Sequence, residues 1–111
     1  MKVQPGGAME NAVYVSVSHL RVDPERVEDL ITAFRGRANL VDSFPGFLRL
    51  EVWRSDKSAD EILMVSHWLT RAAFTAYMKS DAHQVSHDRI PADLQAAIRL
   101  ERLEHHQVVA R

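Results

Sequence analysis

His83 and His87 stand four residues apart near the end of a helical segment, so on a helix they share one face. Imidazole titrates near neutrality and serves as general base, metal ligand or haem ligand. A short way upstream the same stretch carries Trp68, Phe74 and Tyr77, three aromatic side chains at strand-end and helical spacing. Much earlier, Ser16 and Ser18 alternate with valines, putting two small hydroxyls on one face of a strand. Tyr77 could hydrogen-bond to or stack on a planar substrate, and Ser16 and Ser18 leave the space that a pocket floor would need. His87, Tyr77, Ser18 and His83 are the candidates for catalysis, and Ser16, Trp68 and Phe74 for substrate binding.

Each candidate also has a plainer reading. At the carbonyl end of a helix, His87 is equally suited to be a surface residue. Tyr77 can bury its ring and leave its hydroxyl to water, and Trp68 and Phe74 can simply pack beneath the helix. Ser16 and Ser18 leave space, as a pocket floor does, or lie on a half-exposed strand. A divalent metal would need a third ligand beside His83 and His87. Asp81, Asp88 and Glu51 are available, but no HExxH or comparable motif fixes any of them, and no metal site is assigned. The chain has no cysteine, which excludes disulfides, thiolate nucleophiles and zinc–thiolate sites. It shows no Ser-His-Asp arrangement, Gly-rich phosphate loop or paired-carboxylate motif.

The elements that must position these residues follow from periodicity. Val13 to Val22 alternates and is expected to be a strand, with Val13, Val15 and Val17 on one face and Tyr14, Ser16, Ser18 and Leu20 on the other. Asp23-Pro24 reads as a helix start, with Asp23 as cap. Val27, Leu30, Ile31, Phe34, Ala38 and Val41 then predict one long helix ending near Asp42 or Ser43. Pro45-Gly46 is a turn. Phe47–Arg54 is expected as a strand, with Leu48, Leu50 and Val52 facing one way and Phe47, Arg49, Glu51 and Trp53 the other. After a polar loop, Glu61–Leu69 is a third strand. Thr70 is placed to cap a helix over Arg71–Lys79, and Ser80-Asp81 to break it with a fresh cap before a turn through His87. Pro91 ends that turn, Asp93–Ala96 forms another, and Ile98–Val109 is a last strand, with His105-His106 as a bulge or exposed edge. His19 and Arg21 fall at an interface or sheet rim, as do Arg49, Glu51 and Trp53, and His67 is given no role.

The resulting order, β-α-β-β-α-β, is the ferredoxin-like α+β arrangement: an antiparallel sheet with its helices on one face. The other face needs a cover, and a second copy packed sheet to sheet would close a dimeric α+β barrel. With 111 residues, 46% hydrophobic and 26% charged, the chain is expected to form one domain over 12–111, preceded by a flexible tail over 1–11. A net charge of −1 without a basic patch argues against nucleic acid or an anionic membrane as partner. No apolar run reaches the roughly 18 residues that span a bilayer, and no secretory leader is visible, which favours the cytoplasm.

Phe44-Pro45-Gly46-Phe47, then Val65-Ser66-His67-Trp68, Ala73-Phe74, Tyr77-Met78, Ser80-Asp81 and His87 together resemble the antibiotic biosynthesis monooxygenase (ABM) family, from the first strand to about His87. The resemblance implies a homodimer with a pocket between the helices and sheet of each subunit. The haem-degrading branch of that family uses an Asn on strand one, a Trp on helix two and an iron-binding His. By position these correspond to Ser18, Tyr77 and His87, so only the His is kept. The cofactor-free branch oxidises phenols and quinols with dioxygen. The resemblance thus points first to cofactor-free oxidation of a planar aromatic. Its alternatives are haem binding and degradation through His87, or a non-catalytic dimer that binds a small ligand.

Overall fold

The computed structural model describes residues 13–36 and 40–111. The proposed tail over 1–11 and Ala38 lie outside them. Four strands form one sheet: β1 (Tyr14–Val22), β2 (Phe47–Arg54), β3 (Glu61–Trp68) and β4 (Ile98–Gln107). Their order is β2-β3-β1-β4 and every neighbouring pair is antiparallel. Between β1 and β2 runs α1 (Val27–Arg35); between β3 and β4 run α2 (Arg71–Met78), α3 (Asp81–Asp88) and the short α4 (Ala92–Gln95). This is the ferredoxin-like order expected from periodicity.

The pleat decides what each strand residue meets. Across β1 and β3, Tyr14 pairs with Trp68, Ser16 with Ser66, Ser18 with Met64 and Leu20 with Ile62. These residues face the helices. An aliphatic cluster forms at one end from Leu20, Val22, Ile62, Val27, Leu30 and Leu94, and an aromatic one at the other from Tyr14, Trp68, Tyr77 and Val41. Burying a side chain such as Leu30 contributes roughly 1.5–3 kcal/mol. The alternate residues face away from all helices, and Val15, Val17 and Val65 pack there with Val13, Leu63 and Val108.

The structure departs from the expected elements in four places. The first helix begins as a 3-10 turn at Pro24–Arg26 and ends at Arg35 instead of near Ser43. Gly36 favours that end, and the Arg89 guanidinium caps it by donating through Nη1 to the Ala33 carbonyl at 2.9 Å. Val41 is still buried, but on a separate 3-10 turn, Leu40–Ser43. Asp23 makes no side-chain cap. Its carbonyl accepts from the Arg26 N–H at 2.8 Å, closing the tight turn, and its carboxylate lies 3.6 Å from Arg99. In β2 the register shifts between Phe47 and Arg49, so Phe47 turns to the same side as Leu50 instead of opposite it. The irregularity in β4 is not at His105-His106, which pair regularly with Ser16 and Val15. Leu100 pairs with Leu20 and Arg102 with His19, leaving Glu101 as the extra residue.

The turn into β2 and the caps of α2 and α3 are tightly specified. Gly46 has φ +86°, and a Cβ there would lie 2.5 Å from the Ala73 Cβ. Its carbonyl accepts from the Leu69 N–H at 2.8 Å, tying the entry of β2 to the exit of β3. At Thr70 and Ser80 the expected caps form. Thr70 Oγ1 accepts from the Ala73 N–H at 3.1 Å, and Ser80 Oγ from the His83 N–H at 3.2 Å.

Candidate active site

Ser16, Ser18 and Ser66 lie midway along the helix face of the sheet, between the aromatic and aliphatic clusters. Because these side chains are short, the layers do not meet there, and a partly open cavity of about 530 Å³ remains. The aromatic end of its wall includes Phe47, Trp68, Phe74 and Tyr77; the aliphatic end includes Leu20, Phe34, Ile90 and Ile98. His83, Ser86, His87 and Arg89 border it from α3 and the residue that follows.

All seven candidates singled out from the sequence line this one cavity: Ser16, Ser18, Trp68, Phe74, Tyr77, His83 and His87. Trp68 is 1% exposed and Tyr77 is buried. Their ring centroids lie 5.3 Å apart, and Phe44 meets Tyr77 edge-on at 5.2 Å. Both rings are therefore core and wall at once. The His83 ring meets Tyr77 edge-on at 5.2 Å. Burial pushes the His83 pKa down, the neighbouring His87 pushes it the same way, and a hydrogen bond to the Met78 backbone opposes them. His83 is thus neutral at pH 7 and able to accept a proton. His87 is more exposed, with Nδ1 3.7 Å from an Asp88 carboxylate oxygen.

Three cavity residues escaped the sequence reading. Ser66 accepts a hydrogen bond from Trp68 Nε1 at 2.9 Å, which leaves its own hydroxyl proton to donate. Its signal was available: it is two residues before Trp68, with the parity of the helix face. Gln95 donates to the His87 and Ile90 carbonyls at 3.3 and 2.8 Å and so holds the end of α3. Arg89 spans from α3 to the end of α1. Neither contact could be read from local spacing. Glu51 pairs with Val65 on the helix-free face, so the sheet separates it from His83 and His87. Among the described residues, no three His, Asp or Glu side chains gather as a metal site. His19 and His67 also lie on the helix-free face, at 2.8 Å from Glu104 and 3.2 Å from Arg49 respectively. His105 is exposed on the edge strand β4, as expected, and its ring also stacks on Tyr14 with centroids 5.5 Å apart.

An antiparallel sheet with helices on one face and an apolar cavity between the layers makes this a ferredoxin-like α+β domain. A family model for antibiotic biosynthesis monooxygenases matches residues 13–89, and the chain belongs to that family. No curated protein matches the sequence. Among solved structures, the haem-degrader MhuD from Mycobacterium tuberculosis, with two haems bound in its active site, is 26% identical. That match has a TM-score of 0.74 and covers 88% of this chain and 97% of MhuD. SnoaB, a cofactor-independent oxygenase from Streptomyces nogalater, is 19% identical with a TM-score of 0.64, over 90% and 94% of the two chains. A conserved protein from Methanosarcina mazei is 13% identical with a TM-score of 0.70, over 88% and 94%. At those identities the last two share the fold alone. No helix among the described residues is long and apolar enough to cross a membrane.

Proposed function

We propose that the chain is a monooxygenase that oxidises a planar phenol or quinol with dioxygen in this cavity, without a bound cofactor. The observation that carries the reading is the apolar cavity with a half-buried, neutral His83 on its wall. His83 takes the phenolic proton. The phenolate transfers one electron to dioxygen, and the radical pair combines to form a carbon–oxygen bond. The peroxide so formed takes the proton back from His83, and cleavage of its O–O bond with loss of the ring C–H proton releases water and leaves the quinone, so that one phenol and one O2 yield one quinone and one H2O. Ser18 and Ser66 supply hydroxyls toward the substrate oxygens, and Trp68, Phe74 and Tyr77 hold its plane and keep water out. Oxygen uptake with dithranol and 1,4-naphthohydroquinone is the test. Turnover above the uncatalysed rate, falling about 10²–10⁴-fold in His83→Gln, is expected for loss of a general base. No uptake above the protein-free rate overturns the reading.

A second reading rests on the likeness to MhuD and on His87. Its imidazole is on the cavity wall beside Asp88, and the aromatic lining suits a macrocycle, so the residues present fit haem. Bound haem would supply an iron that activates dioxygen; His87 would hold it, and Ser18 and Tyr77 would stand where Asn and Trp are used in the haem-degrading branch. A saturable Soret shift at one haem per chain, lost in His87→Ala, supports this reading; no saturable shift removes it. We further propose that a second copy covers the valine-rich face of the sheet, closing a dimeric barrel. A monomer at micromolar concentration in light scattering would refute that assembly.

A further inference from the structure

Arg89 is the only permanently charged side chain among the described residues that line the cavity, and none of those residues is a carboxylate. Outside the cavity, Arg21, Arg26, Arg49, Arg54, Arg99 and Arg102 each have a carboxylate partner, and Arg35, Arg71 and Arg111 are exposed to water. Arg89 has none among the described residues. Its Nη1 donates to the carbonyls of Ala33 at 2.9 Å and Gly36 at 3.4 Å, which fix the guanidinium in position, while its Nε is buried without a partner. Two carbonyls satisfy donors but do not neutralise a cation. A guanidinium partly withdrawn from water and held beside an apolar cavity favours an anion entering with the ligand.

We propose that the cavity takes planar aromatic ligands that carry a carboxylate, with Arg89 as its counter-ion. The inference rests on the cavity being the ligand site, as in the function proposed above. Arg89 follows His87 by two residues at the end of α3, so the carboxylate lies at that end of the cavity, with the ring system running back toward His83 and Trp68. Such a carboxylate belongs either to a free polycyclic phenol acid or to a porphyrin side chain.

The test is isothermal titration of the full chain with two matched pairs: 1-hydroxy-2-naphthoate against 1-hydroxy-2-naphthamide, and metal-free mesoporphyrin against its dimethyl ester. The acid is expected to bind about tenfold more tightly than its neutral partner in at least one pair, as for a partly desolvated ion pair. Arg89→Gln should erase that preference while leaving the neutral ligand's affinity unchanged, and Arg89→Lys should keep part of it. A preference confined to the first pair identifies a free aromatic acid, and one confined to the second a porphyrin. Equal affinities within both pairs, or no binding by any of the four, overturn the proposal. So does an Arg89→Gln loss that is the same for acid and neutral ligand, because that pattern belongs to the cap on α1. Oxygen uptake is not read in these titrations. Absent turnover with selective binding therefore defeats the oxidation reading alone, and turnover without charge selectivity defeats this one alone.

Discussion

Ser16 and Val17 are consecutive residues of β1, buried to 4% and 9% exposure, and they sit in opposite environments. Ser16 faces a cavity on the helix side; Val17 fills the centre of a sheet face that no helix covers. The same division runs through β3, where Ser66 borders the cavity and Val65, at 1% exposure, packs with Val15 and Val17. On the helix face the middle is empty and the two ends are solid. On the other face the middle is solid and the margin is charged. There Arg21 meets Asp60, Glu61 and Glu101, and His19 meets Glu104. A strand of alternating parity can therefore build a cavity wall and a packing surface from adjacent residues, and a slip of one residue would exchange them.

Trp68→Ala removes the largest fully buried side chain of the helix face and is expected to lower stability by about 3–5 kcal/mol. Val65→Ala on the opposite face should cost roughly 2 kcal/mol or less. Urea denaturation at fixed protein concentration measures both, and an equal loss would mean that the two faces carry the fold equally. Gly46→Ala forces a Cβ against Ala73 at a positive φ, and a loss of about 1–3 kcal/mol is expected in the same assay. Ser16→Val tests the empty middle. Stability should change by less than about 1 kcal/mol while ligand binding by calorimetry is lost, because the added methyls enter space and not a packed core. A large destabilisation there would show that the hydroxyl holds the sheet.

Acid should act on both faces through histidine. The pKa of His83 is held below the ordinary 6.5 by burial and by His87, and that of His67 by burial and by Arg49, against Glu51. The folded chain thus binds fewer protons than the unfolded chain just below pH 6.5. This contribution to stability is fully present above 6.5 and is lost as pH falls from 6.5 through the folded values. Glu104 is held below its ordinary 4.5, first by the hydrogen bond from His19. Asp60 is held below 3.8, first by the bond from Ser58. Their contributions disappear in a separate, more acidic window. Urea midpoints from pH 8 to pH 5 should therefore fall, less so in His83→Gln; a flat profile would contradict the histidine assignments.

The strands and helix caps could be read from the sequence because their causes are local. Alternation marked β1, and the hydroxyls of Thr70 and Ser80 stood where free helix N–H groups needed acceptors. The candidate site was legible as far as it depended on one continuous stretch, Trp68 to His87, plus the parity of Ser16 and Ser18. What escaped depends on partners distant in the chain. The first helix ends where Arg89 meets its carbonyls, 53 and 56 positions away. The turn of Phe47 toward the cavity requires the shifted register against β3. Glu101 is extra only because β1 offers no residue opposite it.

The interruption at Ser80 has a geometric consequence for the two histidines. Along an unbroken helix, each residue gained or lost turns everything downstream by about 100° around the axis. Had α2 and α3 been continuous, the direction of His83 and His87 would be counted from Thr70, and a single insertion near Ala76 would swing both rings off the cavity. Instead the count restarts at Ser80, whose oxygen holds the His83 amide. The rotational phase of the histidine pair is thereby set three residues upstream, independently of the length of the helix that precedes it.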